Sequence, residues 1–220
     1  MLNPDLHGMV PDESDLALLL IDVINDLEFP GAEELLPSAL PMAHNIAELK
    51  KRAKAAKIPV IYVNDNFGRW QSNFTTSVEH VLNDKNEKGE ALRGKPLVEI
   101  LAPDGDDYFV LKPKHSGFFS TNLDILLDYL GAKTLILTGM AGNICVLFTA
   151  NDAYMRDFRL MVPADCMASN KVEENDHALK IMREVLKADT TPSPDLHLKR
   201  VLRDANEQEE PNVPRPESQI

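Results

Sequence analysis

Three runs in the chain are apolar at nearly every position instead of every second one: LALLLID from Leu16 to Asp22, PVIYVN from Pro59 to Asn64, and KTLILTG from Lys133 to Gly139. A strand covered on one face alternates, so unbroken runs of this length indicate strands covered on both. Two shorter runs, Tyr108 to Leu111 and FRLMVP from Phe158 to Pro163, read the same way. Between them the period changes. From Ser38 to Ala56, Leu40, Ala43, Ala47, Leu49 and Ala53 recur roughly at helical spacing, with lysines and Arg52 gathered near the end, which predicts a crossover helix. A second helix is expected from about Thr121, in a capping box with Asp124, to just before Gly131. MAGNICVLFTANDAYMRD turns from strand directly into helix, Glu173 to Lys187 is a further helix, and HLKRVL is a last strand or a short helix. Residues 65–103 read as a long loop with one or two short helices lying over the site. The repeated strand-then-helix order predicts an α/β fold, three-layered and doubly wound, with a mainly parallel sheet of about six strands and helices on both faces.

A chain of 220 residues fits one such domain. Residues 1–202 are assigned to it. Residues 203–220 are rich in Pro, Glu, Gln and Asn and poor in large apolar side chains, so they read as an acidic tail that is expected to be disordered. With 35 acidic residues against 23 basic ones, the net charge of -12 argues against nucleic acid as a partner. No basic stretch leads into an apolar run at the amino terminus, and no segment approaches the roughly 18 apolar residues of a membrane span, so the expectation is a cytoplasmic protein with no membrane association. Two cysteines, Cys145 and Cys166, are expected to be free thiols, Cys166 as a small buried residue. The six histidines lack metal-ligand spacing, and no glycine-rich phosphate cradle is present, so neither metal nor cofactor is expected. His115 reads as a loop residue.

Ligands of an open parallel sheet bind beyond the carboxyl ends of its strands, and Asp22, Lys112 and Cys145 fall at three such ends. Each has a plainer reading when taken singly: Asp22 as a turn cap, Lys112 as a solvated surface lysine, Cys145 as packing. Brought together, they could act on a carbonyl. The free N–H groups of a helix amino terminus and a neighbouring ammonium favour thiolate at Cys145, and Asp22 can take and return a proton. Asn25, Asn66, Trp70, Phe118 and Asn143 lie just beyond the strand ends and are candidates to contact a small-molecule substrate, although Asn often caps turns and aromatic rings often pack in cores.

From about Asp15 to Lys187 the order and spacing of LLLIDVINDL, VLKPKHSGFFSTNLDILL and LTGMAGNICVLFTANDAYMRDFRLMVPADCMAS resemble the isochorismatase-like cysteine hydrolases, which include nicotinamidases, N-carbamoylsarcosine amidases and isochorismatases. The resemblance implies an isochorismatase-like fold with Asp22 as proton shuttle, Lys112 as thiolate partner and Cys145 as nucleophile. It also implies a cis peptide between Met140 and Ala141 that aims the Ala141 N–H, with that of Cys145, at an oxyanion. A homodimer or larger homo-oligomer is implied as well. Nicotinamidases carry one Asp and two His as metal ligands after the second strand; NDNFGRWQSNF here has Asp65 and no histidine, so no metal is expected. The expected activity is hydrolysis of a small amide, ureide or carbamoyl C–N bond through an acyl-enzyme. Two alternatives stay open at this point: an enol-ether hydrolase that does not need the thiol, and a non-catalytic member that binds a small molecule or a partner.

Overall fold

The computed structural model describes residues 13–66 and 74–207. Strand β1 (Leu16–Ile21) is buried at every position. Helix α1 (Ala32–Ala55) returns the chain to β2 (Val60–Asp65), and two short helices, α2 (Phe74–Asn83) and α3 (Lys95–Ile100), precede β3 (Tyr108–Lys112). Helix α4 (Leu123–Leu130), β4 (Thr134–Met140), a π-helical turn over Gly142–Val146 and α5 (Leu147–Tyr154) follow. The chain then runs through β5 (Arg159–Met161), a 3₁₀ turn over Ala164–Cys166, β6 (Met167–Ala168), α6 (Val172–Glu184) and α7 (Leu198–Glu207).

All strand pairings are parallel, in the order β3-β2-β1-β4-β5, with β6 paired to the end of β4. The alternation hidden in the unbroken apolar run of β1 appears in the packing. Leu16, Leu18 and Leu20 join a core with α1, α3 and Leu198 of α7, whereas Ala17, Leu19 and Ile21 join a second core with α4, α5 and α6. These two cores make the three layers. Strand order reverses at β1, from which the chain winds to β2 and β3 on one side and to β4 on the other, which is the kind of switch point at which open parallel sheets bind ligands. Among the described residues no helix is long and apolar enough to cross a membrane.

Several elements differ from the sequence reading. Helix α1 begins at Ala32, before the expected Ser38, and carries Pro37 and Pro41 inside it. Both prolines sit on its exposed side, where water can satisfy the carbonyls they leave unbonded, while Ala32, Leu35, Ala39, Met42 and Ala43 keep the helical spacing inward. The expected Thr121 capping box is absent: the Thr121 hydroxyl accepts a bond from the Leu123 N–H, two residues on, and donates to the Gly117 carbonyl. HLKRVL is helical, because Leu198, Val201 and Leu202 share a face against the first core. The sixth strand is instead the short Met167–Ala168 pair. Helix α7 continues to Glu207, past the expected start of the tail; residues 208–220 lie outside the described residues.

At the crevice, Gly139 pairs with Ile21 across β1 and β4 at φ +110°. A Cβ there would overlap the Ile21 carbonyl oxygen, and the backbone angle is one that L side chains rarely adopt. Gly139→Ala is expected to destabilise the protein by about 2–4 kcal/mol in urea unfolding. Gly105→Ala, whose Cβ would meet nothing within 4 Å, is expected to change stability by less than about 0.5 kcal/mol. Equal stability of the two variants would contradict this account of the β1–β4 contact.

Candidate active site

Parallel register aligns the ends of β1, β2 and β3 so that their last side chains meet. Asp65 pairs with Lys112 across β2 and β3, and the Asp22 N–H donates to the Val63 carbonyl, extending the β1–β2 contact one residue beyond β1. Asp22 has φ +52°, a left-handed conformation that Asp tolerates better than most residues. From there its carboxylate accepts the Asp65 N–H at 2.7 Å on Oδ1 and pairs with Lys112 Nζ at 2.9 Å on Oδ2.

Lys112 is fully buried. Its ammonium faces three acceptors: Asp22 at 2.9 Å, the Cys145 sulfur at 3.5 Å and Asp65 at 3.6 Å. Burial alone would lower the Lys112 pKa, but Asp22, Cys145 and Asp65 outweigh it and keep the ammonium above its ordinary value. Burial raises the Asp22 carboxyl above the usual carboxylate range despite the lysine beside it. The plainer reading of Lys112 as a solvated surface residue is thereby excluded.

Cys145 sits, half-buried, inside the π-helical turn that joins β4 to α5. The Met140–Ala141 peptide entering this turn is cis. Two side chains bond the backbone of the turn. The Ser169 hydroxyl accepts the Asn143 N–H and donates to Asn175 Oδ1. The Thr149 hydroxyl donates to the Cys145 carbonyl and accepts the Gly117 N–H, so the loop after β3 is tied to the helix that carries the sulfur. In that loop the Ser116 hydroxyl bonds the Asp152 carboxylate, and the His115 ring lies against Phe148 with centroids 5.6 Å apart.

The expected low thiol pKa is reversed. Burial, and then the charge of Asp22, push the Cys145 thiol up to about 12, with Lys112 countering only in part. The main cause is burial, with the Asp22 carboxyl second; the ammonium, at 3.5 Å from the sulfur and 2.9 Å from Asp22, does not offset them. The Lys112 ammonium thus lies closer to the Asp22 carboxyl than to the sulfur, and burial favours the neutral thiol.

The remaining candidates divide. Asn66 is buried at the end of β2, and its N–H donates to the Lys112 carbonyl. Asn25 is half-buried and uses Oδ1 to cap the Leu27 N–H. The Asn143 amide donates to Glu174. Phe118 is not at the crevice: it is packed in the second core, 6.1 Å from Phe158 and under the Arg156 guanidinium. Its apolar ring found partners inside, which a position directly after a glycine did not disclose. Trp70 lies outside the described residues. Cys166 is fully buried. Asn64, Thr149 and Ser169 were missed; the available signal was a polar residue within or directly after an apolar run.

The donor set after β2 does not suit a divalent ion. Asp65 already faces the Lys112 ammonium, and residues 66–73 contain no His, Cys, Asp or Glu. Elsewhere, Asp104, Asp106 and Asp107 lie close enough together to share a cation, but Lys50 and Lys54 ion-pair with their oxygens.

Residues 16–191 match the family model for the isochorismatase domain. The chain is 42% identical over 179 residues, 81% of its length and 94% of the relative's, to the uncharacterized isochorismatase family protein YaaI of Bacillus subtilis (strain 168). It is 30% identical over 216 residues, 91% of its length and 73% of the relative's, to enterobactin synthase component B of Escherichia coli (strain K12). The solved structure of N-carbamoylsarcosine amidase from Thermoplasma acidophilum superposes with a TM-score of 0.63 at 26% identity, covering 83% of this chain and 99% of that one. By sequence and by fold, the chain belongs to the isochorismatase-like cysteine-hydrolase superfamily.

Proposed function

We propose that the protein hydrolyses a C–N bond in a small, non-peptide amide, ureide or carbamoyl compound through an acyl-enzyme on Cys145. The observation that carries this reading is one ammonium within 2.9 Å of Asp22 and 3.5 Å of the Cys145 sulfur. Its similarity to a protein named as a carbamoyl-compound amidase supports the substrate class.

In this mechanism Asp22, whose burial raises its proton affinity, takes the thiol proton as the sulfur attacks the carbonyl carbon. Negative charge passes from the Asp22 oxygen to the sulfur, and Lys112 touches both, so the total charge of the buried cluster does not change. The Ala141 and Cys145 N–H groups are assigned to the oxyanion. Asp22 returns the proton to the leaving nitrogen as the C–N bond breaks, leaving a thioester. Asp22 then deprotonates a water that attacks the thioester carbonyl; the C–S bond breaks, and the proton returns to the thiolate.

Cys145→Ala is expected to lower turnover roughly 10³-fold or more with little change in thermal midpoint. Cys166→Ala, remote in the first core, is expected to keep most of the activity. Substantial turnover by Cys145→Ala on the same substrate would favour a reaction that does not use the thiol.

The two charged partners are expected to affect the thiol in opposite directions. With Cys166 replaced, iodoacetamide alkylation of Cys145 at pH 8 is expected to be slow in the parent protein. It should be faster by about tenfold or more in Asp22→Asn, which removes the negative charge that raises the thiol pKa, and no faster in Lys112→Met. Both variants should lose turnover. Equal alkylation in the parent and Asp22→Asn would remove Asp22 from contact with the thiol.

A further inference from the structure

Asn64 lies in β2, fully buried, in a strand whose other buried positions are Val60, Ile61, Tyr62 and Val63. Its amide makes three bonds. Oδ1 accepts the Ile24 N–H at 3.1 Å, and Nδ2 donates to the Ile24 carbonyl at 3.0 Å and to the Asp65 carbonyl at 3.2 Å. Strand β1 has ended by then, at Ile21, so Ile24 has no strand neighbour to satisfy its backbone. The Asn64 side chain pairs with both polar groups of that one residue, as a neighbouring strand would.

This clamp closes on the turn that carries Asp22. The Asp22 N–H is held on the near side by the Val63 carbonyl, and Ile24 is held on the far side by Asn64. Between these anchors Asp22 takes its left-handed φ of +52°. Without the second anchor the turn is free to relax toward the broad extended region, which swings the carboxylate away from Lys112. We infer that Asn64 is a positioning residue that holds the Asp22 carboxylate against Lys112 and the Cys145 thiol. The inference rests on the proposed role of Asp22 as the thiol's proton acceptor. Asn64 touches neither the sulfur nor the ammonium through any of its three bonds, so its action is through the backbone of the Asp22 turn.

The thiol serves as a reporter that a purely structural role would leave unmoved. Among the described residues, the charged groups around the sulfur and its lysine are Asp22 beyond β1, Asp65 at the end of β2 and Lys112 at the end of β3, with Glu174 of α6 one layer out on Asn143. Withdrawing Asp22 from this set should ease thiolate formation. In the full chain with Cys166 replaced, Asn64→Ala is expected to alkylate with iodoacetamide at pH 8 at least about fivefold faster than the parent. Added to Asp22→Asn, it is expected to change the rate no further, because the charge it positions is gone. Asn64→Ser, which keeps a short polar group, gives the same reading should the alanine variant not fold. In the unaltered protein the Ile24 amide is expected to exchange slowly with deuterium. Parent-like alkylation by a folded Asn64 variant, while Asp22→Asn is faster, would overturn the inference and leave the proposed mechanism standing. The same follows if the Ile24 amide exchanges as fast as an exposed loop. An Asp22→Asn rate equal to the parent would overturn the underlying reading of Asp22 and this inference with it.

Discussion

A fully buried ammonium must be matched by negative charge or it will not remain charged, and Lys112 is such a group. Much of the local architecture can be understood as meeting that demand. Strand β3 delivers the lysine, β2 delivers Asp65 in register with it, and the turn after β1 delivers Asp22 at 2.9 Å. The sulfur of Cys145 comes from across the sheet, on the turn after β4, and takes the third side of the ammonium. Two carboxylates and a thiol thus surround the buried cation.

That arrangement depends on groups that do no chemistry themselves. Gly139 lets β4 approach β1 closely enough for the turn carrying Cys145 to follow directly beside the end of β1. Gly142 leaves room for Asn175 and Met167 behind the turn, and Ser169 and Thr149 bond its backbone from opposite sides. Asn64 performs the corresponding task for the Asp22 turn. Each of these is a backbone constraint placed one residue or one bond away from an ionisable side chain, which is how a site on loop ends can be as well defined as one on strands.

What was legible in the sequence follows from which interactions are local. Unbroken apolar runs ending in Asp22, in Asn64 and near Lys112 marked buried parallel strands and their carboxyl ends, because coverage on both faces removes the alternation. The trio converged because strand order placed β1 between β2 and β4. Helix α1 starts at Ala32, ahead of the expected Ser38, because Ala32 and Leu35 continue its buried face, with Pro37 accommodated on the exposed side. Helix α7 was undecided because a six-residue apolar pattern fits either period until its packing partner is known. The raised thiol was not legible because its main cause, burial, and its second cause, the nearby Asp22 carboxyl, are tertiary quantities, whereas the sequence showed only a lysine and a helix terminus. Phe118, expected at the site, packs in the second core, and Asn64, read only as the end of a strand, bonds the backbone of Ile24; both are outcomes of tertiary packing.

The central claim is that Lys112 is committed to Asp22 at rest, so that Cys145 waits as a neutral thiol and is deprotonated only as substrate is attacked. Infrared difference spectroscopy between the wild type and Cys145→Ser at neutral pH reads this without a substrate. The account predicts an S–H stretching band assigned to Cys145, retained across the neutral range and lost only at strongly alkaline pH. Absence of that band at neutral pH, which would mean a resting thiolate paired with Lys112, would contradict it.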